Sequence, residues 1–281
     1  MQRSGVIEIE SREFDIKILS DGSFSLDPGA FFGTVPKPIW NSHFSLDLRG
    51  RVKLGLNIPF FIGRKYSFLI DSGIGNTFDP RKAEIFQFTK ESDLPEQVSG
   101  FSSPEKVDFI IHSHLHFDHA GHSISMEKGK RHFPNARIVV QKEEIRNVRR
   151  TNEITRSSYG MTINRSDSRY LSPVEGSRNI KSGIRVLRTG GHTSGHQVIF
   201  IDDGPLKIMY PGDLIPTVFH IKPNYITAID TFPLETLSMK KKIIDKAIRE
   251  NYVCIFNHDV NIPAGRISGS VSKPEVIPVD L

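Results

Sequence analysis

Residues 112 to 122, HSHLHFDHAGH, place five of the chain's eleven histidines and an aspartate on eleven positions. Imidazole and carboxylate at that density are the donor types that hold zinc or a similar divalent ion. His114 and His116 are two apart, which in an extended segment or turn puts both rings on one side, so they can grip one ion together. Asp118 and His119 are adjacent, cannot share that orientation equally, and could reach a second ion beside the first. Three further candidates, His192, Asp213 and His258, each close an apolar run: IRVLRTGGH (184–192), KIMYPGD (207–213) and YVCIFNH (252–258). If those runs are strands whose C-terminal ends meet at one rim, the donors converge there. Gly190, Gly191, Gly195 and Gly212 would let the backbone turn tightly beside them.

The elements that must position these residues are short β-branched or aromatic runs closed by Gly, Pro or Asp. SFLIDSGIG (67–75), VDFIIHSH (107–114), ARIVVQ (136–141) and QVIFIDDG (197–204) join the three runs above. The N-terminal MQRSGVIEIESREFDIKILS alternates apolar with charged residues and reads as a first strand. Helical periodicity appears over 142–150 and over 234–251, where Leu237, Ile243, Ile244 and Ala247 fall near one face. FLIDSG resembles IMYPGD, and VDFIIHSH resembles YVCIFNHD, which hints at a duplicated plan. Near-continuous apolar strands suggest sheets covered on both faces, so the expectation is one layered domain over 1–281. The polar, Ser/Arg-rich 151–183 stretch is expected to be a lid or a disordered insert. Asn164 opens an N-x-S triplet, which is no glycosylation signal without secretion.

With 37% hydrophobic and 25% charged residues over 281 positions the chain is an ordinary globular sequence. No apolar run approaches the ~20 residues of a membrane span. One cysteine, Cys254, excludes an internal disulfide and agrees with a reducing compartment, so a cytoplasmic protein is expected. The net charge of +5 raises the question of a polyanionic partner. Its densest basic clusters, RNVRR (146–150) and KKK (240–242), are expected on solvated helix faces, and nucleic acid is not the expected partner.

The combined motifs resemble the metallo-β-lactamase-fold superfamily, whose H-x-H-x-D-H is here His114 to His119. FLIDSGIG is similar to its early Asp-x-Gly turn, GGHTSGH to its third histidine motif, PGD to its bridging-aspartate motif and FNHD to its last histidine. The resemblance implies an α/β (α+β) fold, a four-layered αβ/βα sandwich of two mixed sheets flanked by helices. It implies two divalent ions, zinc first, with manganese or iron as alternatives. His114, His116 and His192 would hold the first, Asp118, His119 and His258 the second, and Asp213 would bridge them. Asp71 would stand behind a ligand by the same resemblance, and His112, His122 and His196 are expected to support ligands or structure.

Such a centre gives a hydroxide at neutral pH and polarises a carbonyl or phosphoryl oxygen, with Asp118 placed to orient the nucleophile and shuttle its proton. Among branches, the resemblance points to the compact lactonase and phosphotriesterase-like hydrolases, since 45 positions separate Asp213 from His258 and 23 residues follow it, leaving no room for a large insertion or an appended helical region. Their lactonases commonly carry a tyrosine three residues after the bridging aspartate, where Pro216 stands here. His220, Tyr225, Tyr159 or Tyr170 could replace that donor. Trp40 is expected to pack, with FFGTVPKPIW (31–40) as a pocket wall, and His43 and His132 are expected at the surface. The expected activity is metal-dependent cleavage of a small ester or lactone. A phosphodiesterase or nuclease, and a mono-iron sulfur dioxygenase of the same fold, are the alternatives. The partner is a small molecule, and a homodimer is one assembly that would fit.

Overall fold

The structure, a computed structural model, describes residues 7–8, 13–124, 126–127, 130–159, 163 and 167–281. Two mixed sheets face one another. The first has six strands, β1 (Phe14–Leu26), β2 (Val52–Gly63), β3 (Ser67–Ile70), β4 (Val107–Ile111), β5 (Arg137–Gln141) and β6 (Leu171–Val174), adjacent in that order. The second runs β7 (Arg178–Lys181), β8 (Ile184–Arg188), β9 (Gln197–Asp203), β10 (Leu206–Tyr210), β11 (Val253–Ile255), β12 (Ala264–Ser270) and β13 (Lys273–Asp280), with Ile7–Glu8 added beyond β13.

Pairing repeats between the sheets. β1, β2 and β3 are antiparallel and β4 joins β3 in parallel. β8, β9 and β10 are likewise antiparallel and β11 joins β10 in parallel. The similarity between FLIDSG and IMYPGD, and between VDFIIHSH and YVCIFNHD, is this repeat seen in sequence. A parallel step cannot be closed by a hairpin, so each needs a long crossover. A short α1 (Pro28–Phe32) lies earlier, between β1 and β2; the first crossover carries a short helix, Pro80–Ile85, and then α2 (Leu94–Ser99), and the second carries α5 (Pro233–Arg249). Between them lie α3 (Phe117–Ile124) and α4 (Lys142–Arg149).

β9 shows why these strands read as continuous apolar runs. Ile199 and Ile201 face the other sheet, packing with Phe61, Phe68 and Ile111, while Val198 and Phe200 face α5, packing with Ile243, Ile244 and Ala247. On the far side Leu94 and Val98 of α2 cover Leu69 and Ile110. Helix, sheet, sheet, helix is the four-layered order expected from sequence. Each such fully buried aliphatic or aromatic side chain contributes about 1.5–3 kcal/mol.

Three expectations change. The 151–183 stretch is no single lid. Residues 171–174 extend the first sheet in parallel with β5, and 178–181 extend the second against β8. Both are short, half-exposed edge strands, which need no apolar run and so gave no strand signal. Of the stretch's described residues, Ser157 and Ser158 line the site; Asn164 falls outside the described residues. The N-terminal stretch also divides: 14–20 belongs to β1, Ile7 and Glu8 pair with Val279 and Asp280 in the opposite sheet, and residues 1–6 and 9–12 lie outside the described residues. In the KKK cluster Lys241 and Lys242 are exposed, but Lys240 is 1% exposed, facing the chain's interior from α5. Among the described residues no helix is long and apolar enough to cross a membrane.

Candidate metal centre

The donors converge as strand ends. β4 finishes at Ile111, residues 112–116 lie outside helix and strand, and α3 begins at Phe117, so Asp118 and His119 sit in its first turn. His192 follows β8, Asp213 follows β10 and His258 follows β11. This is the C-terminal rim of the parallel strands, where open α/β sheets bind ligands. Three overlapping groups result: His114, His116 and His192; His114, His119 and Asp213; Asp118, His119 and His258. Within each, one ligand atom per residue lies within 4.8 Å of the others.

The contacts fit a cation better than a set of hydrogen bonds. His192 Nε2 lies 3.1 Å from His116 Nδ1. Asp213 has Oδ2 3.3 Å from His192 Nε2 and 3.9 Å from His114 Nε2, and Oδ1 3.2 Å from His258 Nε2 and 3.3 Å from His119 Nε2. Asp118 Oδ2 is 3.5 Å from His258 Nε2 and 3.8 Å from His119 Nε2. His114 Nε2 is fully buried with no hydrogen-bond partner, and such an atom costs about 1–3 kcal/mol unless something binds it. Asp213 touches both groups of histidines, the position a bridging carboxylate needs.

Four of the five imidazoles are aimed from behind. His119 Nδ1 donates to Asp71 Oδ2 at 2.7 Å, and that carboxylate also accepts from Ser113 N and Oγ, both at 2.7 Å, and from the Tyr210 hydroxyl at 2.8 Å. Asp71 achieves this with φ at 60°, a left-handed backbone rare outside glycine, directly after β3. His192 Nδ1 donates to Asp230 Oδ1 at 2.7 Å, His258 Nδ1 to the Gly55 carbonyl at 2.9 Å, and His114 Nδ1 lies 3.0 Å from Ser113 Oγ. Asn257 Nδ2 donates to Asp213 Oδ1 at 2.6 Å. Such partners fix which nitrogen offers its lone pair.

Burial and neighbouring charge set the protonation pattern. Burial, seconded by the neighbouring histidines, pushes His114 and His116 well below the usual imidazole range. Burial also acts on His119, but Asp213, Asp118 and Asp71 outweigh it and raise it well above that range; at His192 Asp213 and Asp230 outweigh burial and raise it. Burial would raise Asp213, yet His119, His258 and His192 hold it well below the usual carboxylate range. Two neutral imidazoles and an anionic carboxylate are ready donors, and an ion would displace protons from the others.

The remaining sequence candidates fall in several places. His196, beside His114 and His192, has Nδ1 2.7 Å from Thr189 Oγ1 and is lowered to about 3 by burial and by His192. His112 lies 3.3 Å from Asp71 and 2.7 Å from Ser123 Oγ. His122 turns away to Asp21, which a register shift in β1 swings inward. His220 is fully buried: Nδ1 lies 2.7 Å from Thr217 Oγ1 and Nε2 3.1 Å from the Phe31 carbonyl, so both nitrogens are engaged within the protein. Tyr225 packs against Phe219 with its hydroxyl 3.4 Å from Lys222 Nζ. Neither lines the pocket, and neither do Tyr159 and Tyr170. Tyr159 packs edge-on against His116 and Tyr170 against Arg131. Trp40 stacks on Phe32 as a packing residue, Cys254 is buried, His43 is exposed, and His132 is half-buried against His122. Sequence reasoning missed Asp230, Asn257 and Ser113. Asn257 and Ser113 stand beside ligand candidates inside the quoted motifs, whereas Asp230 has no motif around it.

Beside the cluster opens a cavity of about 230 Å³ whose walls are Phe24, Leu26, Phe31, Leu54, Phe86 and Phe117, with His116, Asp118, His192, Asp213 and His258 at its floor. Ser157, Ser158 and Thr227 add hydroxyls, and among the described residues no Lys or Arg lines it. Phe31 comes from the FFGTVPKPIW stretch, which does supply part of one wall.

Residues 59–247 match the sequence profile described as the Metallo-beta-lactamase superfamily. An N-acyl homoserine lactonase of Bacillus sp is 27% identical over 165 residues, 58% of this chain and 60% of its own length. A probable metallo-hydrolase of Methanocaldococcus jannaschii is 28% identical over 57% of this chain and 64% of its own. The match thus spans about three fifths of the length of these curated relatives. Among solved structures, a probable metal-dependent hydrolase from Staphylococcus aureus superposes with a TM-score of 0.89 at 28% identity, covering 97% of this chain and 99% of that one. AidC, a dizinc quorum-quenching lactonase, shares the fold with a TM-score of 0.77 at 20% identity, covering 99% and 98%.

Proposed function

Because the chain belongs to the metallo-β-lactamase superfamily, we propose that it is a dinuclear metal-dependent hydrolase, with zinc the first choice of metal, that cleaves a small neutral ester or lactone. The observation that carries this reading is the three overlapping donor groups opening onto an apolar pocket. His114, His116 and His192 would hold one ion, Asp118, His119 and His258 the other, and Asp213 both. When bound, the ions supply Lewis acidity and lower the pKa of a water toward neutrality.

The chain's own residues do the rest. Asp118, 10% exposed in its side chain and on the pocket floor, can accept the proton of an attacking water and return it to the leaving oxygen. Phe24, Phe31, Leu54 and Phe86 exclude water and bind an apolar substituent. Among the described residues the walls carry no Lys or Arg to pair with a phosphate, and their apolar side chains suit a neutral ester or lactone better than a charged phosphodiester. The small-molecule partner and a single domain over 1–281, with 151–159 as its cover, belong to the same reading.

The test is hydrolysis of lactones, aryl esters and phosphodiesters by zinc- or manganese-loaded protein, with Asp118→Ala as the control. Ester or lactone turnover that falls about 10²–10⁴-fold in the variant is expected. Turnover of phosphodiesters alone would refute the substrate class, and turnover untouched by Asp118→Ala would refute the site.

A further inference from the structure

Helix α4 carries a carboxylate that the chemistry above leaves without a role. Glu144 is fully buried, and its two oxygens divide between two parts of the centre. Oε2 accepts from Leu115 N at 2.9 Å, the amide between His114 and His116, and from the Tyr159 hydroxyl at 3.1 Å. Oε1 accepts from Thr193 Oγ1 at 2.6 Å and Gly195 N at 3.2 Å, in the turn that carries His192, and from Asn147 Nδ2 at 3.0 Å. The fit is close on the backbone side too: a Cβ on Gly195 would lie 2.7 Å from Glu144 N. Tyr159, at the end of the cover segment, presses its ring edge-on against His116 with centroids 4.9 Å apart.

We propose that Glu144 is a positioning residue that sets the spacing of the three-histidine position, by tying the His114–His116 strand end to the His192 turn, and that it docks the cover segment on the same carboxylate. The proposal rests on the metal reading above. His116 Nδ1 and His192 Nε2 come from loops 76 residues apart and lie 3.1 Å from one another. At its base the His192 turn is held to the His114–His116 stretch by Gln197 N, which donates to the Ser113 carbonyl at 2.9 Å; Glu144 adds a second link nearer the ligands, through Leu115 N, Thr193 Oγ1 and Gly195 N. A carboxylate is the right group, since two backbone amides and two hydroxyls all point donors at it. A glutamine of the same shape would turn its NH₂ toward one pair and leave a backbone N–H facing a donor.

The experiment is metal release rather than turnover. In a His258→Ala background, which disables the second position, the zinc or cobalt retained by the three histidines is titrated with a chromophoric chelator, with and without Glu144→Gln. The expected result is at least a tenfold weaker affinity, in the range that loss of a ligand-orienting partner produces, together with an altered visible spectrum of the cobalt form. Trypsin should also cut faster after Arg156 in the cover. A role confined to general stability would lower the melting temperature of the metal-free protein while leaving the affinity and spectrum of the folded protein unchanged, and that result overturns the proposal. Should Glu144→Gln not fold, Thr193→Val removes one donor alone and must weaken binding in the same direction; unchanged affinity there refutes the idea equally. If the unsubstituted protein retains no metal, the proposed function fails along with this one, whereas retention by both proteins with equal affinity sinks only the role of Glu144.

Discussion

Replacing Lys240 by methionine should stabilise the protein at and below neutral pH and lose that advantage in alkali. Lys240 is 1% exposed on α5, with its Nζ donating to the Tyr225 carbonyl. Burial pulls its pKa from 10.5 to about 7, with Asp230 pulling the other way. The facing imidazole of His220 is itself held at about 3 by burial and by Lys240, so it stays neutral through the window of interest. The unfolded chain keeps its proton up to the ordinary lysine pKa, while the folded chain surrenders it near neutrality. Between the two, the unfolded state binds more protons, and stability therefore rises with pH by about 1.4 kcal/mol per unit. Below the folded pKa the whole penalty is present, on the order of 5 kcal/mol. Methionine removes it but leaves the Tyr225 carbonyl without its donor, at a cost of about 1–3 kcal/mol. Urea unfolding of both proteins at a series of pH values between about 6 and 10 reads the difference directly, since titrations common to both cancel. The variant should be more stable by about 2–4 kcal/mol at the acid end, with the gap closing as pH rises. A difference that does not change with pH, or that widens in alkali, would refute the account of a strained buried ammonium.

Asp230→Asn should weaken metal retention about 10–100-fold, because His192 loses the carboxylate that aims its Nε2; chelator competition measures it, and an unchanged midpoint would count against that role. Gly121→Ala should destabilise the fold by more than about 3 kcal/mol, since its Cβ would lie 2.0 Å from the Ile74 carbonyl oxygen, which is backbone and cannot step aside. A melting temperature equal to that of the parent would contradict the packing of α3 on the 71–75 turn. Phe31→Ala should raise KM for the substrate with the largest apolar substituent more than it lowers kcat, as steady-state kinetics would show. Metal affinity should fall as the solution is acidified through the raised range of His119 and His192, because ion and proton compete for the same nitrogens. Proton release on binding, followed in weakly buffered solution, reads it.

The centre was legible because its donors cluster in sequence or terminate apolar runs, and both signals follow from the fold: strand ends at one rim are where such groups can converge. The strands themselves were legible where both faces are covered, as in β9 and β10. Elements that meet solvent were not. β6 and β7 read as polar linker because edge strands carry few apolar residues, whereas β2, apolar and almost wholly buried, went unread because Gly55, Asn57 and Pro59 interrupt its run. α3 was missed because the eight residues from Phe117 to Ile124 are chosen for chemistry rather than helical periodicity. The buried charges Glu144 and Lys240 sit in runs of like polar residues, EE and KKK, and nothing local distinguishes the one that points inward. His220 carried a polar type at a plausible position but spends both nitrogens on the packing of the Phe31 wall.

The division of the chain between the two sheets has a consequence for how the molecule could be taken apart. Apart from Ile7–Glu8 and a separate two-stranded pair (126–127 with 130–131), every described strand before Glu175 belongs to one sheet and every strand after Ser177 to the other, with Gly176 in the open connection between them. His114, His116, Asp118 and His119 belong to the first piece; His192, Asp213 and His258 belong to the second. Neither piece owns a complete set of donors. Severed at Gly176, the halves would have to find one another before either could grip an ion, and uptake of metal would become a concentration-dependent signal of their reunion.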